Sequence, residues 1–447
     1  MSEHSIPDRD VAAETRRLLA LAWPVVLTSL NWTILHVTDV VVVGLVSTEQ
    51  AAALGASRAL TFIGIVAVLG WLTGILVFAS RADGARDLPT TGRVFQEGLV
   101  LGLALGLAAG ALLFAFAEPT LLAIGVAPAI APDAAAVVRV MALAYPFQTL
   151  IIAASFFLEG VSRPRRVTVV NFITLPVNAV LAWALSGGHV GLPALGAVGA
   201  AAATAIASVL GAVLMIGAAL TLARAEERGV RRWRATGEGV RRLAAFGLVP
   251  AIASALELAG FSVLIALSTR LGEAATHAFQ IVFSIHNVTF ALALGMGSAA
   301  GVRAGNAVGE GLPREAPWRA TIATALAAAA TGVCAVILLL FDRSVTGAFP
   351  AAAEVHVLAA AMLLVWAPFI LFDGMQVVLV YTLRSLGDQV AAGLNGVAAF
   401  FVVTGGLGWL LVEHGVGPMA LVWASGIGMV AAALFNGLRL AWVSRRL

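Results

Sequence analysis

Apolar runs recur along this chain from Leu18 to Leu440, and most are long enough for a helix that crosses a bilayer. Hydrocarbon offers backbone N–H and C=O groups no partner, so only helices or closed barrels can span it. A barrel needs short segments of alternating polarity, whereas these runs are continuous. Only 11% of the 447 residues are charged and 60% are hydrophobic, with mean hydropathy +0.98. A soluble domain carries about a quarter charged residues. The fold class expected is therefore an all-α polytopic membrane protein. Twelve spans are predicted, over 16–44, 52–80, 92–117, 133–161, 167–187, 194–223, 242–270, 275–309, 318–341, 354–384, 390–412 and 418–442. The polar opening residues lack a cleavable-leader pattern, so the first span is expected to be retained. Cys334 is the single cysteine, which excludes an internal disulfide.

All 27 basic residues are arginines. All but Arg58, Arg139, Arg270 and Arg343 fall in the N-terminal tail, the even-numbered connections or the C-terminal tail. The positive-inside rule then places both termini in the cytoplasm, with the protein in the plasma or inner membrane. This bias accounts for the pI near 9.9. The basic loops lack aromatic interleaving beyond Trp233, so no nucleic-acid partner is expected.

A weak repeat runs through the chain. Arg16-Arg17-Leu18 followed by Pro24 returns as Arg241-Arg242-Leu243 followed by Pro250. His189-Val-Gly-Leu-Pro193 returns as His414-Gly-Val-Gly-Pro418. The predicted organisation is a six-helix bundle over 1–223, a charged cytoplasmic linker over 224–241 and a second six-helix bundle over 242–447. An even number of spans per half makes both halves enter from the same side. Their pseudo-twofold axis then runs along the membrane normal, as in transporters built from parallel repeats.

Asp39, Glu257 and Asp373 interrupt these apolar runs. A charge at the bilayer centre costs at least about 2.5–3.5 kcal/mol, so an intramembrane acid is a functional candidate by default. The repeat is asymmetric here: Glu257 lies seven residues after Pro250, where the first half has Asn31, and Asp39 corresponds to Ile265. The two halves share a scaffold but not a polar site.

Taken in order, several fragments resemble the multidrug and toxic compound extrusion (MATE) family, in its NorM-like branch, over nearly the whole chain. They are Pro24 with Val-Thr-Asp39-Val-Val-Val-Val-Gly44; Phe-Leu-Glu159-Gly160-Val-Ser162-Arg163-Pro164; Pro-Val-Asn178; Gly191-Leu-Pro193-Ala-Leu-Gly196-Ala-Val-Gly199 running to Ala-Thr204; Glu257; Phe279-Gln280-Ile281; Gly-Val302-Arg303-Ala-Gly305-Asn306; and Phe372-Asp373-Gly-Met-Gln376. The resemblance implies export of organic, often cationic and amphipathic, compounds in exchange for Na⁺ or H⁺, with no other cofactor. Glu257 and Asp373 match the family's acidic pair in the second half, associated with cation binding. Asp39 and Asn178 match its polar cluster in the first half, associated with proton coupling. Two positions depart from the pattern. Ala182 stands where some relatives have a second acid, and Phe369 stands where NorM-like relatives often have Tyr.

Two carboxylates facing one cavity can share a proton, hold Na⁺ or pair with an organic cation. Na⁺ prefers oxygen ligands, so Glu257 and Asp373, with Gln280, Asn287 or Ser254 nearby, are the expected ligands. Phe369 offers a ring face for a cation. His286, alone in an apolar run, reads as a hydrogen-bonded core residue. The duplicated chain suits a carrier that works as a monomer among membrane lipids on small organic cargo. The competing reading is a flippase for lipid or polyprenyl-linked substrates, which would place several basic residues in the cavity; the spans show acids there and no mid-span arginine. An enzyme is not expected: no His-Glu-x-x-His, Walker-type loop or Ser/His/Asp constellation is present.

Overall fold

The computed structural model describes residues 9–447, all of whose regular elements are helical. The first eight residues of the tail read as cytoplasmic lie outside the described residues. Twelve helices are long and apolar enough to cross a membrane. They are α1 (Val11–Val46), α2 (Thr48–Gly84), α3 (Leu88–Ala123), α4 (Ala131–Gly160), α5 (Pro164–Gly187), α6 (Gly196–Leu220), α7 (Gly237–Arg270), α8 (Glu273–Gly309), α9 (Glu315–Leu340), α10 (Ala353–Leu386), α11 (Gln389–Glu413) and α12 (Met419–Ser444). Each sequence-predicted span falls within or close to one of these. The helices run longer because polar caps extend them past the apolar run: Asp10 caps α1 through Ala13 N–H at 2.9 Å, and Asp87 caps α3 through Thr90 N–H at 3.1 Å. Large apolar side chains such as Val213, Leu340 and Leu438 are exposed around the outside, where lipid would cover them.

Helix pairing repeats with a shift of six. In the first half α1 packs on α5, α2 on α4, α3 on α4, α4 on α6 and α5 on α6; in the second α7 packs on α11, α8 on α10, α9 on α10, α10 on α12 and α11 on α12. The contacts between halves are reciprocal, α1 against α8 and α7 against α2. That reciprocity is what a twofold relation between two copies of one bundle produces. Each bundle has its own core. Leu72, Ile75, Phe95 and Phe157 anchor the first, and Leu264, Phe279, Met362 and Met429 the second.

Local irregularities fall inside the spans. Phe116 leaves helical geometry (φ −112°, ψ 16°) just ahead of Pro119 in α3. In α10 the helix tightens to a single 3₁₀ turn at Ala367–Phe369, around Pro368. In α11 it widens to π-type turns over Val397–Gly406, where the Thr404 hydroxyl donates to the carbonyl of Ala399 at 3.2 Å. Such widened turns are frequent near functional sites. Between the halves the linker is not a free tether. The Gln96 side chain on α3 donates to the carbonyls of Gly229, Val230 and Arg232 and accepts from Arg234 N–H at 2.6 Å. Arg228 pairs with Asp83 at 2.7 Å, and Thr236 donates to Glu97 at 2.8 Å.

Candidate functional site

On the linker side the two halves are pressed together. Gly247 and Gly309 make this possible: a methyl on Gly247 would overlap the Trp71 carbonyl oxygen, and one on Gly309 that of Arg81. Small residues let helix backbones approach closely without a hydrophobic drive between helices. Polar contacts cross the same seam. Arg303 donates from Nε and Nη2 to the two carboxylate oxygens of Glu14, both at 2.6 Å, and both residues are buried. Asn306 donates to Ser80 O at 2.9 Å, Trp71 Nε1 to Ala244 O at 2.8 Å and Arg81 to Ser385 O at 2.8 Å. Glu159 accepts from Ser298 at 2.6 Å. These residues occupy the starts of α1 and α7 and the later parts of α2, α4, α8 and α10.

Away from the linker the halves part around a cavity of about 690 Å³. That volume is in the range of pockets that enclose a drug-sized molecule. Its wall comes from the second half of α1, the first half of α2, the middle of α4 to α6, and the first half of α8. Trp32, Phe62, Tyr145 and Phe283 supply aromatic surface, and Asn31, Gln148, Asn171, Gln280 and Asn287 supply amides. The cavity wall carries one carboxylate, Asp39.

Asp39 is buried against three helices. Its Oδ1 accepts from Asn178 Nδ2 on α5 at 3.1 Å, and its Oδ2 accepts from the Thr204 hydroxyl on α6 at 3.5 Å. Asn178 is fully buried, yet its Oδ1 has no hydrogen-bond partner among the described residues. A buried polar atom left unpaired costs stability, which makes it informative. The third neighbour is Arg58, whose Nη2 lies 3.8 Å from Asp39 Oδ2 while donating to His36 O at 2.8 Å. Arg58 thus lines the cavity, which corrects the expectation that acids alone supply its charge. Because α2 begins at Thr48 rather than at residue 52, Arg58 sits about 15 Å along it. Its side chain is 27% exposed, toward the cavity.

The second-half acids are arranged otherwise. Asp373 is buried; its Oδ2 lies 3.0 Å from His286 Nε2, and its Oδ1 accepts from Gln376 Nε2 at 3.3 Å. Glu257 lies one layer away on α7, where its Oε1 occupies the space a side chain at Gly396 would fill. Neither acid lines the large cavity, contrary to the picture of a carboxylate pair facing one chamber. Gln280 and Asn287, expected beside that pair, instead line the cavity opposite Asp39. Ser254 turns its hydroxyl toward Gly70 at the contact between halves. Phe369 packs edge-on against Trp423 at 5.8 Å and lies over Gly426, so its ring faces are used within the second bundle.

Sequence reasoning missed Arg58 and Thr204 at Asp39, and Gln376 at Asp373. Gln376, three residues after Asp373, is the one that helical spacing could have found. The others lie on different helices from the acid they touch.

The sequence profile of the MatE family matches residues 24–184 and 250–406. A probable multidrug resistance protein NorM of Burkholderia pseudomallei is 30% identical over 95% of this chain and 91% of its own length. Another, from Mesorhizobium japonicum, is 32% identical over 95% of this chain and 93% of its own. The crystal structure of a eukaryotic MATE transporter, AtDTX14, superposes with a TM-score of 0.87 at 20% identity, covering 98% of this chain and 99% of that one.

Proposed function

The chain belongs to the MatE family, and we propose that it is a multidrug efflux antiporter that exchanges amphipathic organic cargo, cationic in the first instance, for Na⁺ or H⁺ by alternating access. The observation that carries this reading is the cavity between the halves: sealed on the linker side, walled by aromatic rings and amides, with one buried carboxylate beside an unsatisfied amide oxygen. Aromatic and amide surface suits varied amphipathic molecules, because neither demands one fixed hydrogen-bond pattern. Asp39 and the Thr204 hydroxyl present oxygens, and Asn178 would add its unpaired Oδ1 on turning its amide over, a set of the kind a small hard cation takes. Asp39 can equally receive a proton. In either case the arriving cation competes with Arg58 for the same carboxylate, and so does the positive end of a cargo. This shared dependence on one acid is what couples the two fluxes.

Positive-inside bias puts the linker and both termini in the cytoplasm, in the plasma or inner membrane. The sealed seam then faces inward and the cavity outward. The bundles 1–223 and 242–447 are the bodies that rock, in a carrier that needs no second copy. A lipid flippase is less well supported, since Arg58 is the one arginine on the cavity wall and a phosphate headgroup calls for several.

The test is efflux of a fluorescent organic cation from proteoliposomes under separately imposed Na⁺ and proton gradients. Exchange driven by either gradient, and lost in Asp39→Asn, supports the reading. Headgroup translocation without cation exchange refutes it.

A further inference from the structure

The acids of the second half invite a metal ion, and Glu257 with Asp373 are the residues the resemblance assigns to it. The surroundings of Asp373 do not suit one. Its Oδ2 faces a ring nitrogen, His286 Nε2 at 3.0 Å, and its Oδ1 an amide nitrogen, Gln376 Nε2 at 3.3 Å, where Asp39 has the Thr204 hydroxyl and an unpaired amide oxygen on Asn178 beside it. A hard cation needs several oxygens converging on one point. Here the space around the pair is filled by rings: Phe261, Phe283, Phe290 and Trp366 stand 5.8, 5.9, 5.6 and 5.1 Å from the imidazole. Phe283 also lines the cavity, whereas neither His286 nor Asp373 does. Glu257 on α7 fills the space beside Gly396 of α11. Among the described residues no group of three or more His, Cys, Asp or Glu side chains is poised to hold a metal.

We propose that His286 bars metal ions from the second half. Its imidazole occupies the position on Asp373 that Na⁺ would need, and the hydrogen bond between Nε2 and Oδ2 satisfies the carboxylate in the ion's place. Asp39 is then the acid at which a small cation is exchanged, and Asp373 positions the imidazole and its ring of aromatics. This rests on the antiporter reading and adds to it the residue that decides where the ion binds.

The test is equilibrium binding of radioactive Na⁺ to the purified full chain, with binding of a fluorescent organic cation as the check on folding. Asp373→Asn is expected to leave Na⁺ binding as in wild type. His286→Ser, which frees the carboxylate and adds an oxygen, is expected to bind Na⁺ roughly tenfold more tightly than wild type, a gain cancelled in His286→Ser/Asp373→Asn. Weakened Na⁺ binding in Asp373→Asn overturns the proposal. So does a His286→Ser protein that keeps cargo binding without gaining Na⁺ affinity. If His286→Ser does not fold, the Asp373→Asn comparison decides alone. A wild type that exchanges no cargo under either gradient sinks the antiporter reading as well, whereas the first two results in an active exchanger sink only the role given to His286.

Discussion

Glu14→Gln should unlock the seam on the linker side. Glu14 and Arg303 are 3% and 8% exposed, and the guanidinium reaches both carboxylate oxygens at 2.6 Å. The substitution keeps the size of the side chain but leaves Arg303 buried without a counter-charge. Breaking one side of a buried ion pair costs about 3–5 kcal/mol. That cost falls on the sealed state alone, because separating the halves lets water reach Arg303. At about 1.4 kcal/mol per tenfold, the ratio of sealed to parted molecules should drop by about two to three and a half orders of magnitude. The assay is alkylation of Ala300→Cys in a Cys334→Ala background by a membrane-impermeant maleimide. Ala300 is 2% exposed and lies in the apolar patch between Leu18, Ala22 and Met296. Labelling should be slow in the parent and far faster with Glu14→Gln. Adding Arg303→Met, which removes the stranded charge, should slow it again. Equal labelling rates in all three proteins would refute the idea that this pair holds the halves together.

Three further outcomes follow from the same geometry. Thr204→Ala should weaken cation-coupled efflux several-fold while leaving Asp39→Asn as the more damaging change, since Thr204 supplies the longer of the two hydrogen bonds; gradient-driven transport assays compare them. Arg58→Gln should tighten binding of the coupling cation by at least about tenfold, because a unit charge near 4 Å contributes on the order of 4 kcal/mol at an intermediate dielectric; unchanged affinity by calorimetry would remove Arg58 as a competitor. Gly247→Ala should pry α2 from α7 and speed the same maleimide reaction, because the added methyl collides with the Trp71 carbonyl; a labelling rate like the parent's would show that the seam yields elsewhere.

The spans, their count and the duplicated arrangement were legible because lipid imposes a coarse signal: a run of apolar residues, read one helix at a time. The acids were legible for the same reason, as exceptions within those runs. Their environments were not. Asp39 meets Asn178 and Thr204 across 139 and 165 residues of chain, and Asp373 meets His286 across 87. Such contacts depend on which faces the helices present, and a sequence with nearly uniform hydrophobicity says little about faces. Arg58 shows the point in miniature: the predicted span contained it, but not the turn of its side chain toward Asp39 and the cavity. Gln280 and Asn287 show the converse, polar residues on the right helix but turned toward the other half's acid.

The hold of Gln96 on the linker has its own implication. By gripping the carbonyls of Gly229, Val230 and Arg232 and the N–H of Arg234, α3 makes the connecting segment a part of the first bundle. That hold extends through Thr236, which donates to Glu97 on α3, and ends where α7 starts at Gly237. Covalent continuity across that point contributes little to cohesion, and the chain severed there, as fragments 1–236 and 237–447, should reassemble into a working carrier.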